Sequence, residues 1–330
     1  MVSMWLKALR VIPRITNEEW NTLDIISKWL IASRGAVFIM TAIAAAIGGL
    51  LASRYGHFRW DIFLCSLIGL VLAHATNNML NDYVDFNKGI DKDNYFRAQY
   101  GPHPLEHGLL SKKVFIRYIL VTLMLSLLSG FYIYTQIGTP ALWLIGIGLF
   151  FLLFYTWPLK YFGLGELAVI LVWGPLMIGG TYFVTSQADW NGWVVIISLV
   201  YGIGPTTVLL GKHTDKLLED KAKGVHTLPV IIGQKASRYT VIALMVLEYL
   251  FTALLVIVGQ LGPALLLVFL SVPTLLKTIK LYAQPRPLQA PKGEEGIWPL
   301  YLVSYAFEFN RKFGLLFLLG LIIDLILHKM

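Results

Sequence analysis

The sequence predicts an all-α, polytopic membrane protein. Of its 330 residues, 57% are hydrophobic and only 14% are charged, and the mean hydropathy is +0.67. Soluble domains usually carry about 25% charged residues. Apolar segments long enough to cross a bilayer recur along the whole chain. The single cysteine, Cys65, excludes an intramolecular disulfide and a cysteine-based metal site.

Nine apolar segments are candidates for membrane spans, which need roughly 20 residues each. The fourth and the ninth are short, and the ninth contains Asp324, so a count of eight spans stays open. The segments cover roughly residues 35–53, 61–81, 114–134, 141–158, 164–185, 192–212, 239–258, 262–281 and 313–328.

Residues 1–34 are predicted to form a separate segment at the cytoplasmic surface, and residues 35–330 form one membrane domain. Charged residues from Lys7 onward and the lack of a small-residue cleavage site argue against a secretory signal. Tryptophan, leucine and isoleucine residues in this segment fit helices that lie in the membrane interface. A solvated cap is the equal alternative.

Basic residues set the predicted orientation. The loops after the second, fourth, sixth and eighth segments are rich in lysine and arginine, whereas three of the four opposite loops have none. The positive-inside rule therefore places the N-terminus and the basic loops in the cytoplasm, and the C-terminus outside. Because the same rule explains the net charge of +8, we predict membrane lipids as partners and no nucleic acid.

The first candidate site is the stretch N-N-M-L-N-D-Y-V-D-F-N-K-G-I-D at 77–91. A carboxylate at membrane depth costs about 2.5–3.5 kcal/mol on insertion scales, so it is usually kept for function. If the preceding helix continues, Asn77, Asn81 and Asp85 are four residues apart and share one face. Their oxygen atoms suit a hard cation such as Mg²⁺.

A second acidic stretch, residues 211–230, follows the sixth segment on the same side of the membrane. Asp215 and Glu219 are four residues apart, and Asp220 lies off that face unless the helix carries a bulge. Two acidic helix ends with interleaved lysines suit a diphosphate bridged by Mg²⁺. Neutralising a leaving diphosphate promotes cleavage of an allylic C–O bond. The alternative is that both stretches are ordinary charged loops.

The stretches N-D-Y-V-D-F-N-K-G-I-D and D-K-L-L-E-D-K-A-K-G-V-H-T-L-P-V-I-I-G resemble the two Asp-rich motifs of the UbiA-type intramembrane prenyltransferases. The resemblance extends over nearly the whole chain and includes Y-T-W-P-L-K at 155–160. G-L-L-S at 108–111 and G-L-G-E at 163–166 are most similar to the branch that prenylates 1,4-dihydroxy-2-naphthoate for menaquinone. The resemblance implies nine helices around a central cavity. It also implies Mg²⁺-dependent transfer from an isoprenyl diphosphate to an aromatic or lipid acceptor.

The resemblance further implies roles for individual residues. The diphosphate is ionised, an electron-rich carbon attacks the allylic cation, and a base removes a proton. Asp85, Asp215 and Tyr155 are the expected catalytic residues. The expected metal ligands, direct or through water, are Asn81, Asp85, Asp91, Asp215, Glu219 and Asp220, and the expected substrate-binding residues are Arg34, Asn77, Arg97, Lys160 and Lys212.

Several residues depart from the family pattern. The last acid of the first motif comes at Asp91, and His103 stands where the naphthoate branch has arginine. In the second motif, Gly211 and Thr214 replace an expected asparagine and arginine. Other acceptors, terpene cyclisation by the same site, and a transporter with acidic gates are therefore kept as alternatives. The sequence fixes neither the isoprenyl chain length nor the oligomeric state.

Overall fold

A computed structural model describes residues 2–56, 58–92, 96–99 and 101–329. Within these ranges the regular secondary structure is entirely helical, and they contain no β-strand. This confirms the predicted all-α class for the described part of the chain.

Nine long helices follow the nine predicted segments within the described ranges. Seven of them are long and apolar enough to cross a membrane. The fourth is shorter, and the ninth lies outside that group of seven, so the count of nine spans stays a prediction. The helices are α1 (Gly35–Tyr55), α2 (Trp60–Asn87), α3 (Lys112–Ile137), α4 (Thr139–Phe154), α5 (Gly165–Thr185), α6 (Gly192–Asp215), α7 (Gln234–Ile257), α8 (Pro263–Ala283) and α9 (Tyr301–Lys329).

Short helical pieces complete the described chain. Pro175 lacks an N–H, and α5 widens to a π-helix over Val172–Gly179 around it. Helix α1 opens with a 3₁₀ turn at Gly35–Val37, and α8 opens with a nine-residue 3₁₀ helix at Pro263–Ser271. The remaining short helices are Val2–Ala8, Asn17–Thr22, Ile25–Ala32, Phe96–Gln99, Leu159–Phe162, Leu217–Ala222 and Leu228–Ile232.

Helix α9 begins 12 positions before the predicted segment 313–328. Its early turns bury Phe309 in the core while Glu308 and Arg311 lie exposed on the other side. A hydropathy average mixes the two faces, so the charged residues hide the amphipathic start of the helix. This early start matters for the candidate site, because it places the first turn of α9 next to the end of α6.

The main core lies between α1, α5, α6, α7 and α9. Helix α6 packs against α5, α7 and α9, and helices α2 and α3 pack together elsewhere in the bundle. Ile47, Tyr201, Met245 and Phe313 are fully buried in the core. A cavity lined by residues of α2, α3, α4, α5 and α6 includes the acids Asp85 and Asp91 of the first acidic stretch.

The N-terminal segment packs onto the membrane domain. Trp20 is buried together with Ala8 and Phe38, whereas Leu6 and Ile26 are exposed. The exposed apolar side chains agree with helices in the membrane interface, which stays a prediction.

An ion pair between Arg54 and Asp324 joins α1 to α9 at the end opposite the acidic stretches. Asp324 also accepts a hydrogen bond from the backbone N–H of Gly262 at 3.0 Å. A Cβ at Gly262 would lie 1.3 Å from an Asp324 carboxylate oxygen, so this close approach requires glycine. The acid that interrupts the ninth apolar segment is therefore the partner of a partly buried arginine.

We expect Asp324→Asn to destabilise the protein by about 1–3 kcal/mol, because it leaves the partly buried Arg54 guanidinium without its countercharge. The measurement is the apparent midpoint of thermal denaturation in detergent. The double variant Arg54→Gln/Asp324→Asn removes both charges and should recover part of the loss. Equal midpoints for Asp324→Asn and the unmodified protein would contradict the proposed role of the pair.

Candidate active site

One face of α2 points toward the end of α4 and the turn that follows it. Asn77 donates to the carbonyl oxygen of Leu152 at 3.2 Å, and Asn81 donates to the hydroxyl of Thr156 at 3.2 Å. One turn further, Asp85 contacts Lys160. The three α2 residues line one cavity. The predicted shared face of Asn77, Asn81 and Asp85 is confirmed, because α2 continues to Asn87.

Asp85 lies among donors. The Lys160 ammonium contacts its two carboxylate oxygens at 2.8 and 2.6 Å, and the Tyr161 hydroxyl donates to it at 3.3 Å. Lys160 is 3% exposed. Burial and the charge of Asp85 both raise the pKa of the Tyr161 phenol, which therefore stays a donor near neutral pH. The site thus holds a carboxylate and an ammonium that an incoming ion would have to separate.

Asp82 is the residue whose importance the sequence did not reveal. It is 1% exposed and forms ion pairs with Arg34 and with Arg97, the latter through contacts of 2.9 and 3.2 Å. Arg34 has a left-handed backbone (φ 59°), which is uncommon outside glycine and clusters at functional sites. One buried carboxylate thereby fixes two cavity-lining guanidinium groups that come from different segments.

Asp91 pairs with His103, whose Nε2 lies 2.8 Å from a carboxylate oxygen. Both side chains are buried, and Asp91 lines the same cavity as Asp85. The histidine that replaces the family's arginine thus takes a place beside the displaced third acid of the first motif.

The second acidic stretch differs from its prediction. Helix α6 ends at Asp215, and Lys216 is not helical (φ −107°, ψ 18°), so Asp215 and Glu219 do not share one continuous helix. Asp215 instead accepts hydrogen bonds from the backbone N–H groups of Leu302 and Val303 at 3.0 Å. Arg286 contacts the same carboxylate at 2.9 Å. Asp215 therefore holds the first turn of α9.

The same packing explains the departure from the family pattern at Gly211. A Cβ at Gly211 would lie 2.4 Å from the Tyr282 hydroxyl oxygen and 3.1 Å from the Cα of Val303. Tyr282 is itself fixed by its hydrogen bond to the carbonyl of Leu302 at 2.8 Å. At the other departure, the Thr214 hydroxyl bonds to Ser237 at 2.5 Å. The start of α9 occupies the space of the expected asparagine.

The cavity has a volume of about 670 Å³. Its lining on α2 runs from Cys65 to Asp85, and 20 residues of helix rise about 30 Å. One end carries the polar groups, and the rest is walled by apolar and small residues of α2, α3, α4 and α5. Among these wall residues are Leu123, Leu127, Ile133, Leu144, Ile145, Leu149, Leu176 and Met177.

Of the predicted site residues, those of the first acidic stretch and the basic set line this cavity. They are Arg34, Asn77, Asn81, Asp85, Asp91, Arg97, Tyr155, Lys160 and Lys212. The described lining does not include Asp215, Glu219 or Asp220. Asp220 bonds to Lys216 at 2.8 Å. The metal-binding role of these three stays a prediction, and this arrangement does not favour it.

Two sets of cavity residues were missed from the sequence. Lys216 was counted only as a basic loop residue, and Arg10 and Arg14 as part of the N-terminal segment. His213 lines the cavity and bonds to Glu166 at 2.6 Å, with both side chains buried. The G-L-G-E motif was the available signal for Glu166, but its partner lies 47 residues away.

The oxygen donors at the polar end fit Mg²⁺ in part. Mg²⁺ is usually held by one or two carboxylates together with water and substrate phosphates. Asp85, Asp91 and the amide oxygen of Asn81 supply such donors on the cavity wall. Among the described residues, no three His, Cys, Asp or Glu side chains form a metal-binding cluster. The donor set therefore fits an ion that arrives with a phosphate ligand.

Residues 41–293 match the model of the UbiA prenyltransferase family. The chain belongs to this family, and it is a prenyltransferase. This confirms the resemblance stated from the two acidic stretches.

Characterised relatives agree with the naphthoate branch. The chain is 26% identical to 1,4-dihydroxy-2-naphthoate octaprenyltransferase from Bacillus subtilis over 86% of this chain and 88% of the relative. It is 27% identical to 2-carboxy-1,4-naphthoquinone phytyltransferase from Synechocystis over 76% and 81%.

Solved structures share the fold. A UbiA homologue from Aeropyrum pernix superposes with a TM-score of 0.65 at 17% identity, over 86% of this chain and 97% of that one. A homologue from Archaeoglobus fulgidus bound to GPP and Mg²⁺ gives 0.57 at 14% identity, over 88% and 99%.

We expect Gly211→Ala to destabilise the protein by about 1–3 kcal/mol, because the added methyl group overpacks the contact with Tyr282 and Val303. Gly146→Ala is the matched control, since nothing lies within 4 Å of a Cβ there. The midpoint of thermal denaturation in detergent compares the two variants. If both glycines tolerate alanine equally, the start of α9 does not constrain Gly211.

Proposed function

We propose that this protein transfers an isoprenyl group from an isoprenyl diphosphate to a naphthoate-like aromatic acceptor, with Mg²⁺ as the cofactor. The carrying observation is a single cavity with a strongly basic polar end and a long apolar wall. The substrate class has the same two parts, a charged diphosphate head and a hydrocarbon tail. We place the head beside Asp85 and the tail along α2, α3 and α4.

The basic residues support binding of the diphosphate head. Lys212 lines the cavity, and in the described part of the chain no carboxylate pairs with its ammonium. An ammonium left without a countercharge in a partly buried site favours an anionic ligand. Lys160 supplies a second ammonium that is now held by Asp85. These two groups would stabilise the negative charge that develops on a departing diphosphate.

Asn81, Asp85 and Asp91 are the residues that we propose to hold Mg²⁺. When bound, the ion would neutralise charge on the leaving group. Lys160 contacts the Asp85 carboxylate at 2.6 Å, so it would lie within reach of a phosphate group bound beside Asp85.

Aromatic side chains next to the polar end of the cavity would stabilise the allylic cation. His74 lies one turn deeper on α2 than Asn77, and the centroids of its ring and of the Trp173 ring are 5.3 Å apart. Tyr155 and Trp173 both line the cavity. Aromatic faces attract a cation and carry no nucleophilic oxygen at the face. An apolar wall around the cation also excludes water, which would otherwise consume it.

The acceptor is proposed from the relatives. Both named relatives act on compounds with a naphthalene ring that bears a carboxylate or a carboxy group. The length of the cavity favours a polyprenyl donor over a single isoprene unit. Release of an acceptor-free hydrocarbon would instead favour cyclisation by the same site.

Purified protein incubated with Mg²⁺, all-trans polyprenyl diphosphates and 1,4-dihydroxy-2-naphthoate should give a prenylated naphthalene product. Mass spectrometry of the extracted lipid identifies it. Removal of divalent ions with EDTA should stop the reaction, and added Mg²⁺ should restore it. No prenylated product from any donor in the panel would overturn the proposed acceptor.

Asp85→Asn should lower consumption of prenyl diphosphate by about 100-fold, which is typical for loss of one key electrostatic group. Asp61→Asn is the matched control on the same helix, because Asp61 is a partly exposed partner of Arg59 at the opposite end. The release of diphosphate measures how fast the prenyl diphosphate is consumed. Comparable rates for Asp85→Asn and the unmodified protein would exclude Asp85 from the catalytic site.

A further inference from the structure

The N-terminal segment forms part of the cavity wall. Arg10, Val11, Ile12 and Arg14 line the same cavity as Asp85 and Lys212. This piece, residues 10–14, lies before the region matched by the family model, which begins at residue 41. We call it the N-terminal strap. It adds two arginines to a site that otherwise comes mostly from the family region.

The strap has defined anchors. Pro13 is buried, and Ile12 packs against Ile90 and Phe96, which neighbour Asp91 and Arg97 in the chain. Arg14 donates to the carbonyl oxygen of Trp298 at 3.0 Å. The strap therefore lies at the polar end of the cavity.

The helices before and after the strap hold it from both sides. Trp5 donates to Asp24 at 3.0 Å. Hydrogen bonds to Asp24, first from the Ser27 side chain, lower the pKa of that carboxyl to about 2, so it remains charged. Ala8 is buried against the same cluster as Trp20. These contacts fix residues 10–14 in place without the side chain of Arg10. Arg14 adds its hydrogen bond to the Trp298 carbonyl.

The charge at this end exceeds the need of one diphosphate. Among the described residues, seven lysine and arginine side chains line the cavity, against Asp85 and Asp91 in the lining and Asp82 and Asp220 paired behind it, an excess of three positive charges. A diphosphate that is partly neutralised by Mg²⁺ cannot balance this excess. A second anionic group is needed for charge complementarity. The seven basic residues are Arg10, Arg14, Arg34, Arg97, Lys160, Lys212 and Lys216.

We propose that Arg10 and Arg14 recognise a carboxylate on the acceptor. They are the two basic lining residues farthest in sequence from the metal and diphosphate residues, and neither forms an ion pair with a described carboxylate. The planar guanidinium group suits a carboxylate, which it binds through paired N–H donors. This inference rests on the proposed function, since it assigns the second anion to the aromatic substrate. The strap is then a specificity element for acidic acceptors.

The test compares two acceptors that differ only in the carboxylate, 1,4-dihydroxy-2-naphthoate and 1,4-dihydroxynaphthalene. The unmodified protein should prefer the acid by about tenfold or more in kcat/KM, as expected for a hydrogen bond to a charged group. Arg10→Gln/Arg14→Gln should lose this preference through a higher KM for the acid. Its KM for the prenyl diphosphate should stay within about twofold, since a charged donor lost from the diphosphate would change it about tenfold.

Lys7→Gln is the matched control, because Lys7 is an exposed basic residue of the same segment and is not among the described cavity residues. It should retain the preference for the acid. All proteins are assayed in neutral-lipid nanodiscs and again with anionic lipid. An effect confined to anionic lipid would assign the arginines to lipid headgroups, and a rise in KM for the prenyl diphosphate would assign them to the donor. Either result overturns the proposal.

Equilibrium binding of 1,4-dihydroxy-2-naphthoate separates this proposal from the proposed function. If the unmodified protein binds the acid but forms no product, the proposed reaction is wrong. The role of the strap is still tested, because Arg10→Gln/Arg14→Gln should then bind the acid more weakly. Equal binding by this variant and by the unmodified protein overturns the role of the strap. Equal melting midpoints of the variants confirm that the comparison concerns folded protein.

Discussion

The structure depends on pairing each buried carboxylate of the acidic stretches with a base. An isolated carboxylate in a medium of low dielectric is costly, and a partner with good geometry offsets part of that cost. Five carboxylates follow this rule, and their partners come from five different parts of the chain. The pairs are Asp82 with Arg34 and Arg97, Asp85 with Lys160, Asp91 with His103, Asp215 with Arg286, and Asp220 with Lys216.

These pairs divide the two acidic stretches by role. In the first stretch, Asp85 and Asp91 face the cavity, so a ligand can compete for them. In the second, Asp215 joins Arg286 and the start of α9, and Arg286 stacks over Trp298 at 4.3 Å. Since the Trp298 carbonyl also receives the hydrogen bond of Arg14, Asp215 lies at one end of a chain of contacts that reaches the strap. The second acidic stretch thus supports the wall of the site.

The sequence predicted the parts of this arrangement that depend on local pattern. The approximate positions of α1 to α8 followed from hydropathy, and the shared face of Asn77, Asn81 and Asp85 followed from helical spacing. The sequence could not predict the partners of Asp215, because Leu302 lies 87 residues away. The backbone N–H groups of Leu302 and Val303 are free to donate only because α9 begins there. The early start of α9 was hidden by Glu308 and Arg311 in the hydropathy average. Spacing within a motif therefore identified which residues carry charge, and tertiary packing decided which of them face the cavity.

The departures at Gly211 and His103 are best understood as parts of this packing. Gly211 makes room for Tyr282 and Val303, so the space that an asparagine side chain would occupy is filled by the start of α9. His103 reaches Asp91, which keeps that acid paired where it lies beyond the end of α2. Because Asp215 binds the start of α9, Lys212 and Lys216 are the lysines that the end of α6 and the next residue bring to the cavity. A site built in this way presents a basic wall, and among the described residues only the first acidic stretch brings carboxylate oxygens to the cavity lining.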